Sequence, residues 1–393
     1  MLRVLTLSTL FPDGSRPGFG GFVERQTLGL AEHPAVELKV VAPIGLPFGR
    51  LGGLLGSRRA LADSPAREDW KGLDVVRPRF TTLPFRGGSF NPAWLYRTLA
   101  RTLDRLRPEF PFDVIDAEFF YPDGPAAIEL GRRYGVPVSI KARGSDIHVW
   151  GSRLNSRRQI IDAGRAAAGM LAVSEAMRRD MIALGLPAGR IHVHHTGVDR
   201  TMFHPRDRAR LKAELGIEGP LVVTAGNLIP LKRQALLIEA MRELPGYLLI
   251  AGDGPEHGRL SAHIARAGLE GRVRLLGHLP HADLPRLFAA ADVFALASAS
   301  EGLANVWVEA LACGTPIVIT DVGGAREVVT SASAGRIVDS TAKAIAGGIL
   351  DILGSPPGQG DVVAQVEAFS WERNRDALYA HLDGLVRRRK SIE

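Results

Sequence analysis

The feature that most constrains this chain is an alternation, run through twice, of short β-branched segments and longer amphipathic ones. In the first half, strand patterns fall at residues 4–7, 36–41, 75–77, 114–117, 138–141, 170–173 and 191–193. Helical patterns lie between them, near 21–32, 92–106, 124–134 and 175–184. After Phe203-His204-Pro205 the alternation restarts, with strands at 221–224, 247–251, 273–276, 293–296 and 316–320. Strands separated by helices predict parallel sheets with crossover helices. Two such series, joined by a turn-rich stretch near 197–206, predict an α/β chain of two Rossmann-like domains at 1–200 and 207–369. In open parallel sheets ligands bind beyond the carboxyl ends of the strands, so two facing sheets would frame a cleft.

Composition agrees with this and removes other classes. A chain of 393 residues is long for one core. Apolar residues make up 46 % and charged residues 23 %, as in an ordinary globular protein. Cys313 is the single cysteine, so the chain has no internal disulfide and no zinc-type cysteine spacing. It falls where a small helix residue is wanted. The N-terminus reads as a first strand and not as a leader, and no apolar run approaches the length of a membrane span. The net charge of +7 comes from arginine. It fits phosphorylated ligands or an anionic membrane surface. No nucleic-acid motif accompanies it, so nucleic acid is not an expected partner.

Residues 298–319 carry the densest chemistry. Small polar residues and Gly302 lead into a helix expected from Asn305 to Ala312, which Gly314 and Pro316 stop before the next strand. Glu301 precedes the helix and Glu309 lies inside it, roughly 12 Å further along the axis at ~1.5 Å per residue. That is about the span of a nucleoside joined through two phosphates to a sugar. The helix N-terminus offers free amides to the diphosphate, and the two carboxylates offer acceptors to hydroxyls. Glu309 sits in an apolar run, where an unpartnered carboxylate is costly.

Other candidates also sit at strand exits. Residues 225–233 bring Gly226, Asn227, Lys232 and Arg233, with Lys232 placed as a point charge for phosphate. Gly252-Asp253-Gly254-Pro255 and Gly277-His278-Leu279-Pro280 are two further glycine-bearing exits. In the first domain, the loop 9–21 ends in Gly20-Gly21, which would let backbone approach a ligand. Residues 141–148 bring Arg143, Asp146 and His148 beyond a strand; Asp146 also reads as a helix cap and His148 as a surface histidine. The series Arg153, Arg157, Arg158 and Arg165 reads as a solvated helix face. The segment 45–59 mixes Leu46, Pro47, Phe48, Leu51, Leu54 and Leu55 with arginine. It reads as a lid-like insertion, or as a contact with an anionic bilayer.

The ordered set resembles the retaining glycosyltransferases of family 4, which have the two-domain GT-B fold. The set is Gly226 with Lys232; Gly252-Asp253-Gly254-Pro255; Gly277; Asp292; Glu301-Gly302 through Glu309-Ala310; Gly314-Thr315-Pro316; and Gly323-Gly324 with Glu327. Thr196-Gly197-Val198-Asp199 and Phe203 match as well. The resemblance covers nearly the whole chain and is most specific in the second domain. It implies a nucleotide-sugar donor domain at 207–369 and an acceptor domain at 1–200, the latter completed by a returning helix at about 371–393.

By position, the resemblance places Lys232 on the donor diphosphate, Glu309 on the ribose and Glu301 on sugar hydroxyls. Amides around Leu303, Ala304, Asn305 and Val306 fall near the phosphates, and Gly20 and Gly21 approach the donor. Arg143, Lys232 and Glu301 are the expected catalytic groups. Asp146, Asn227, Arg233 and Gly254 are expected to line the substrate. Two positions depart from the pattern: Asn227 stands where many members have arginine, and Arg143 where many have histidine. Arg233 or Arg143 would supply the missing phosphate cation. No metal and no cofactor are expected. The resemblance, which extends to relatives of exopolysaccharide and cell-wall polymer synthesis, implies acceptors from lipid-linked glycans to small metabolites; the basic first domain and the Leu46–Leu55 loop favour a glycan or lipid-linked acceptor, in the cytoplasm or at the inner membrane face. A non-catalytic nucleotide-sugar-binding subunit and a GT-B epimerase are the alternative readings.

Overall fold

The computed structural model describes residues 1–47, 59–83 and 85–391. In chain order the strands are β1 (Leu2–Leu7), β2 (Val36–Val41), β3 (Ile44–Pro47), β4 (Arg67–Trp70), β5 (Leu73–Val76), β6 (Arg79–Thr82), β7 (Val114–Ala117), β8 (Val138–Ala142), β9 (Gly169–Ala172) and β10 (Ile191–Val193). A second series follows: β11 (Leu221–Ala225), β12 (Tyr247–Ala251), β13 (Val273–Gly277), β14 (Val293–Leu296), β15 (Ile317–Thr320) and β16 (Gly335–Val338). The chain divides into two units, Met1–His195 with Glu372–Glu393, and Thr196–Trp371.

Among the described residues the first unit holds an eight-stranded sheet in the order β10-β9-β8-β7-β1-β2-β5-β4 and a β3-β6 pair. Every pairing in the large sheet is parallel except β4 with β5. Those two strands join at Lys71 and Gly72, both at positive φ (54° and 86°). The helix Trp371–Lys390 packs on this unit. Its Leu378, Leu382 and Val386 are buried against Leu2, Val4, Val36, Val114 and Leu171.

The second unit holds a six-stranded sheet, β13-β12-β11-β14-β15-β16, parallel throughout. Val222, Leu248, Ile250, Val293 and Ala295 of the sheet pack with Leu237, Ile238, Leu260, Ile264, Ile345 and Ile349 from its helices. Burial of such side chains is worth about 1.5–3 kcal/mol each and fixes the strand register. Both sheets are Rossmann-like, as the alternation predicts.

The join lies earlier than the expected 200. Residues 196–206 go with the second unit because Val198 bridges Ser370 and its amide donates to Phe369 O at 2.9 Å. Of the segment 45–59, read as a lid-like insertion or a bilayer contact, Leu46 and Pro47 end β3, and residues 48–58 lie outside the described residues. No helix among the described residues is long and apolar enough to cross a membrane.

Candidate functional site

The second sheet reverses its growth between β11 and β14. From β11 the chain builds outward through β12 and β13, then returns to the other side with β14, β15 and β16. The loops leaving β11 and β14 therefore part at their carboxyl ends, which is where open α/β sheets bind ligands.

Lys232 follows β11 and Glu301 follows β14. The Lys232 ammonium donates to Glu301 Oε1 at 2.5 Å, and the two side chains are only 18 % and 12 % exposed. The β14 exit is tied down from both sides. The Ala299 amide donates to Leu231 O at 2.8 Å, and the Gly324 amide donates to Gly302 O at 2.8 Å. Gly323 has φ +51°, and a Cβ there would run into Glu301 O and Gly302 O. Gly323-Gly324 and Glu301-Gly302, two separate members of the ordered set, thus meet through backbone.

The helix Asn305–Ala312 begins just beyond, within the bounds expected of it. Its N-cap, Ala304, has extended backbone and no side-chain hydrogen bond caps the helix. The first-turn amides therefore lack the side-chain acceptor that a Ser or Asp cap provides, and a helix N-terminus in that state favours an anion. Leu303 and Ala304 are buried, while Asn305 and Val306 are half-buried.

One turn in, Glu309 is 9 % exposed, and its Oε1 lies 2.9 Å from His281 Nε2. His281 is the partner that a carboxylate in an apolar run requires. It comes from the turn after β13, and its ring packs edge-on against Phe203, with centroids 5.2 Å apart. The sequence marked this exit through Pro280, and His281 is the next residue. Cys313 is buried and its thiol is pushed up to about 12, chiefly by burial, which makes it a packing residue.

The other second-unit candidates differ in what holds them. Gly254 has φ +156°, and a Cβ there would meet Leu228 O; Gly252 would likewise strike Gly226 O. These glycines let the β11 and β12 exits stack, backbone on backbone. Asn227 contributes its carbonyl, which accepts from Gln234 Nε2 at 3.0 Å. Arg233 adopts a left-handed conformation, φ +49°, which is costly for a residue with a side chain. Its guanidinium donates to Ser340 Oγ at 2.8 Å.

In the first unit the sheet reverses between β1 and β7, and Gly20-Gly21 and Glu118 follow those strands. Gly20 has φ +69° and lies against Leu10 O, so its freedom is needed by the loop itself. Around Gly21 a Cβ would meet nothing within 4 Å. Arg143 follows β8 and pairs with the fully buried Glu118. It also reaches Gln26 Oε1 at 3.2 Å and Glu118 O at 3.3 Å. Its charge is already met by this carboxylate.

Asp146, expected to line the substrate or to cap a helix, is held by backbone amides. It is fully buried, and its carboxylate accepts from the amides of Arg143 (3.0 Å), Gly144 (2.8 Å) and Phe120 (3.0 Å). That makes it a positioning residue for the Arg143 turn. His148 is half-buried, and its Nε2 sits 2.9 Å from Asp180 Oδ2.

Behind Arg143 lies a polar network that the sequence does not announce. The Lys141 ammonium donates to Gln26 Oε1 at 2.5 Å and to His194 Nδ1. His194 Nε2–H donates to Asn374 O at 2.8 Å, which leaves Nδ1 free to accept. Burial pushes Lys141 down and Asp116 up, and it holds His194 well below its ordinary value, as a neutral ring. Among the described residues, no group of three or more metal-ligating side chains gathers.

Comparison with known proteins follows this division. Residues 207–367 match the family model Glycosyl transferases group 1, and residues 57–201 match Glycosyltransferase Family 4. A D-inositol 3-phosphate glycosyltransferase of Mycobacterium marinum is 36 % identical over 209 residues, covering 49 % of this chain and 44 % of that protein. The chain spans less than half the length of the curated relatives it matches. Among solved structures, sucrose-phosphate synthase from Thermosynechococcus elongatus superposes with a TM-score of 0.82 at 19 % identity, over 98 % of this chain and 100 % of that one. Anabaena HepE, solved in complex with UDP-glucose, superposes with a TM-score of 0.72 at 20 % identity and the same coverage. The chain thus has two Rossmann-like α/β domains consistent with the GT-B fold, and its two halves are each similar to a glycosyltransferase family model.

Proposed function

We propose that the second unit binds a nucleoside diphosphate sugar at the β11–β14 switch point, and that the chain transfers the sugar to an acceptor with retention at the anomeric carbon. The observation that carries this reading is the half-buried Lys232–Glu301 pair beside a helix N-terminus without a side-chain cap. A diphosphate entering there takes the Lys232 ammonium and the first-turn amides of the helix. Glu301, released from Lys232, then accepts hydrogen bonds from sugar hydroxyls. Glu309, oriented by His281, accepts from the ribose. Lys232 and the helix amides stabilise the charge that develops as the nucleoside diphosphate departs, so the reaction runs without a metal. An acceptor hydroxyl attacks the anomeric carbon on the face the leaving phosphate vacates and passes its proton to that phosphate's oxygen, so configuration is retained with no nucleophilic carboxylate. The acceptor class that we favour is a lipid-linked glycan at the inner membrane face. The complex of HepE with UDP-glucose supports the donor class.

The test is a transfer assay with UDP-, GDP- and ADP-sugars against lipid-linked acceptors, with the product's anomeric configuration read by NMR. Lys232→Ala should lower kcat/KM by about 10²–10³ while leaving the circular dichroism unchanged. Full activity in that variant, or an inverted product, would contradict the assignment.

The Arg143–Glu118 pair favours a second reading, a subunit that binds the nucleotide sugar without turnover. Its signature is tight donor binding with no transfer to any acceptor and no hydrolysis. An epimerase would instead isomerise or hydrolyse the donor with no acceptor present.

A further inference from the structure

Apart from Met1, the exposed large apolar side chains of the first unit, among the described residues, are Phe90 (60 %), Trp94 (41 %), Val149 (43 %), Leu154 (83 %) and Ile182 (36 %). They are far apart in sequence but lie on segments that touch. Tyr121 Oη donates to Gly88 O at 2.8 Å, and its ring lies 4.9 Å from that of Trp150. Gln159 Nε2, on the helix Leu154–Ala166, donates to Ser89 O at 3.0 Å. The His148–Asp180 contact ties the Val149 turn to the helix Glu175–Leu184, which carries Ile182. Clustered exposed apolar side chains mark an interaction surface, whereas scattered ones need no account.

The charge around these tips is what selects the partner. On the helix Asn91–Leu106, Trp94, Arg97 and Arg101 fall at i, i+3 and i+7, so they share a face. On the helix Leu154–Ala166, Leu154, Arg157 and Arg158 fall at i, i+3 and i+4. Each helix thus presents an apolar first turn followed by arginine. These four arginines are exposed and make no ion pair among the described residues. Asp162 lies one turn beyond Arg158, with Arg165 following it, and Asp180 is engaged by His148.

From this juxtaposition we infer that the face carrying Phe90, Trp94 and Leu154 docks on an anionic lipid bilayer. The apolar tips enter the headgroup boundary and the arginines meet lipid phosphates. Apolar tips alone would suit a protein partner equally well; unpaired charge of one sign beside them suits a surface of the opposite sign. The inference deepens the reading of a lipid-linked acceptor and rests on it for its purpose.

Flotation of the full chain with vesicles tests it, using phosphatidylcholine alone or mixed with phosphatidylglycerol, at low and high salt. UDP binding is measured on the same samples, so that lipid docking and the donor site fail separately. The chain should float with the mixed vesicles at low salt and not with phosphatidylcholine alone. Phe90→Ser with Leu154→Ser, and separately Arg157→Glu with Arg158→Glu, should each weaken vesicle binding at least ~10-fold and leave UDP binding unchanged. Should either pair fail to fold, the lipid and salt dependence of the unaltered chain decides. Absence of flotation, equal flotation on both vesicle types, or folded variants that bind like the parent would overturn the inference. So would concentration-dependent self-association without vesicle binding, which would assign the surface to a second copy.

Discussion

Asp123, one residue after Pro122 in the β7 exit, shows how far burial can move a group in this fold. Its carboxyl is fully buried and is pushed up to about 7, chiefly by loss of solvent, with Asp146 adding to the rise. One oxygen accepts from the Thr9 amide at 2.8 Å; the other, Oδ1, has no partner among the described residues. A folded-state pKa above the unfolded value means that the proton is held more tightly in the folded chain. The stability it contributes is fully present below about pH 4 and is lost as pH rises through about 7. Asp123→Asn keeps the shape of the neutral acid and removes the titration. Urea unfolding at pH 4 and pH 8 should show the parent losing stability relative to the variant, by on the order of 4 kcal/mol at most. Equal losses in both proteins would show that Asp123 is ionised in the fold. Arg143 teaches the complementary lesson. Its cation was legible from a strand-exit position, but its neutralisation was not. Glu118 lies beside it only because β7 and β8 are neighbours in the sheet, and sheet order is not written along the chain.

At the scale of elements, glycine placement separates what the loops need from what a ligand needs. Gly20→Ala puts a Cβ against Leu10 O at positive φ and should cost about 1–3 kcal/mol. Gly21→Ala meets nothing within 4 Å, at the first position of a helix, and should change stability by no more than about 0.5 kcal/mol. Thermal unfolding of both variants checks the pair; equal destabilisation would contradict this account of the loop. The same distinction explains which strands were legible. Those with apolar alternation or a continuous apolar run, such as Val36–Val41 and Tyr247–Ala251, carry their pattern in the sequence. Arg67–Trp70 is an edge strand of charged residues, paired antiparallel through a Lys71-Gly72 turn, and it has no apolar alternation to read. Arg79–Thr82 and Gly335–Val338 are similarly short and lie at an edge, or in a separate pair. Lys232, Glu301 and Glu309 were legible because each lies at a strand exit or in the helix that follows one. Gln26 and His194, in contrast, are brought to Lys141 by packing alone.

For the whole molecule, the helix Trp371–Lys390 completes the first unit's core, although it is the last element in sequence. His194 and Asn374 join through Nε2–H to O at 2.8 Å, Asn374 Nδ2 donates to His195 O at 2.7 Å, and His381 lies 3.0 Å from Ser139 Oγ. A chain ending at Trp371 loses these contacts and bares Leu2, Val4 and Val114. With the four buried apolar side chains Leu378, Leu382, Leu385 and Val386 removed at about 1.5–3 kcal/mol each, first-unit amides should lose most of their hydrogen-exchange protection, and those of β11, β12 and β14 should keep theirs. Retained protection in β1 and β7 would contradict the role given to this helix. The central claim concerns the donor site, and calorimetric titration with UDP, GDP and ADP, with and without magnesium, tests it most directly. The account predicts that one diphosphate binds without metal and that Glu309→Ala loses that binding. Binding of none of the three, or binding that Glu309→Ala leaves intact, would contradict it.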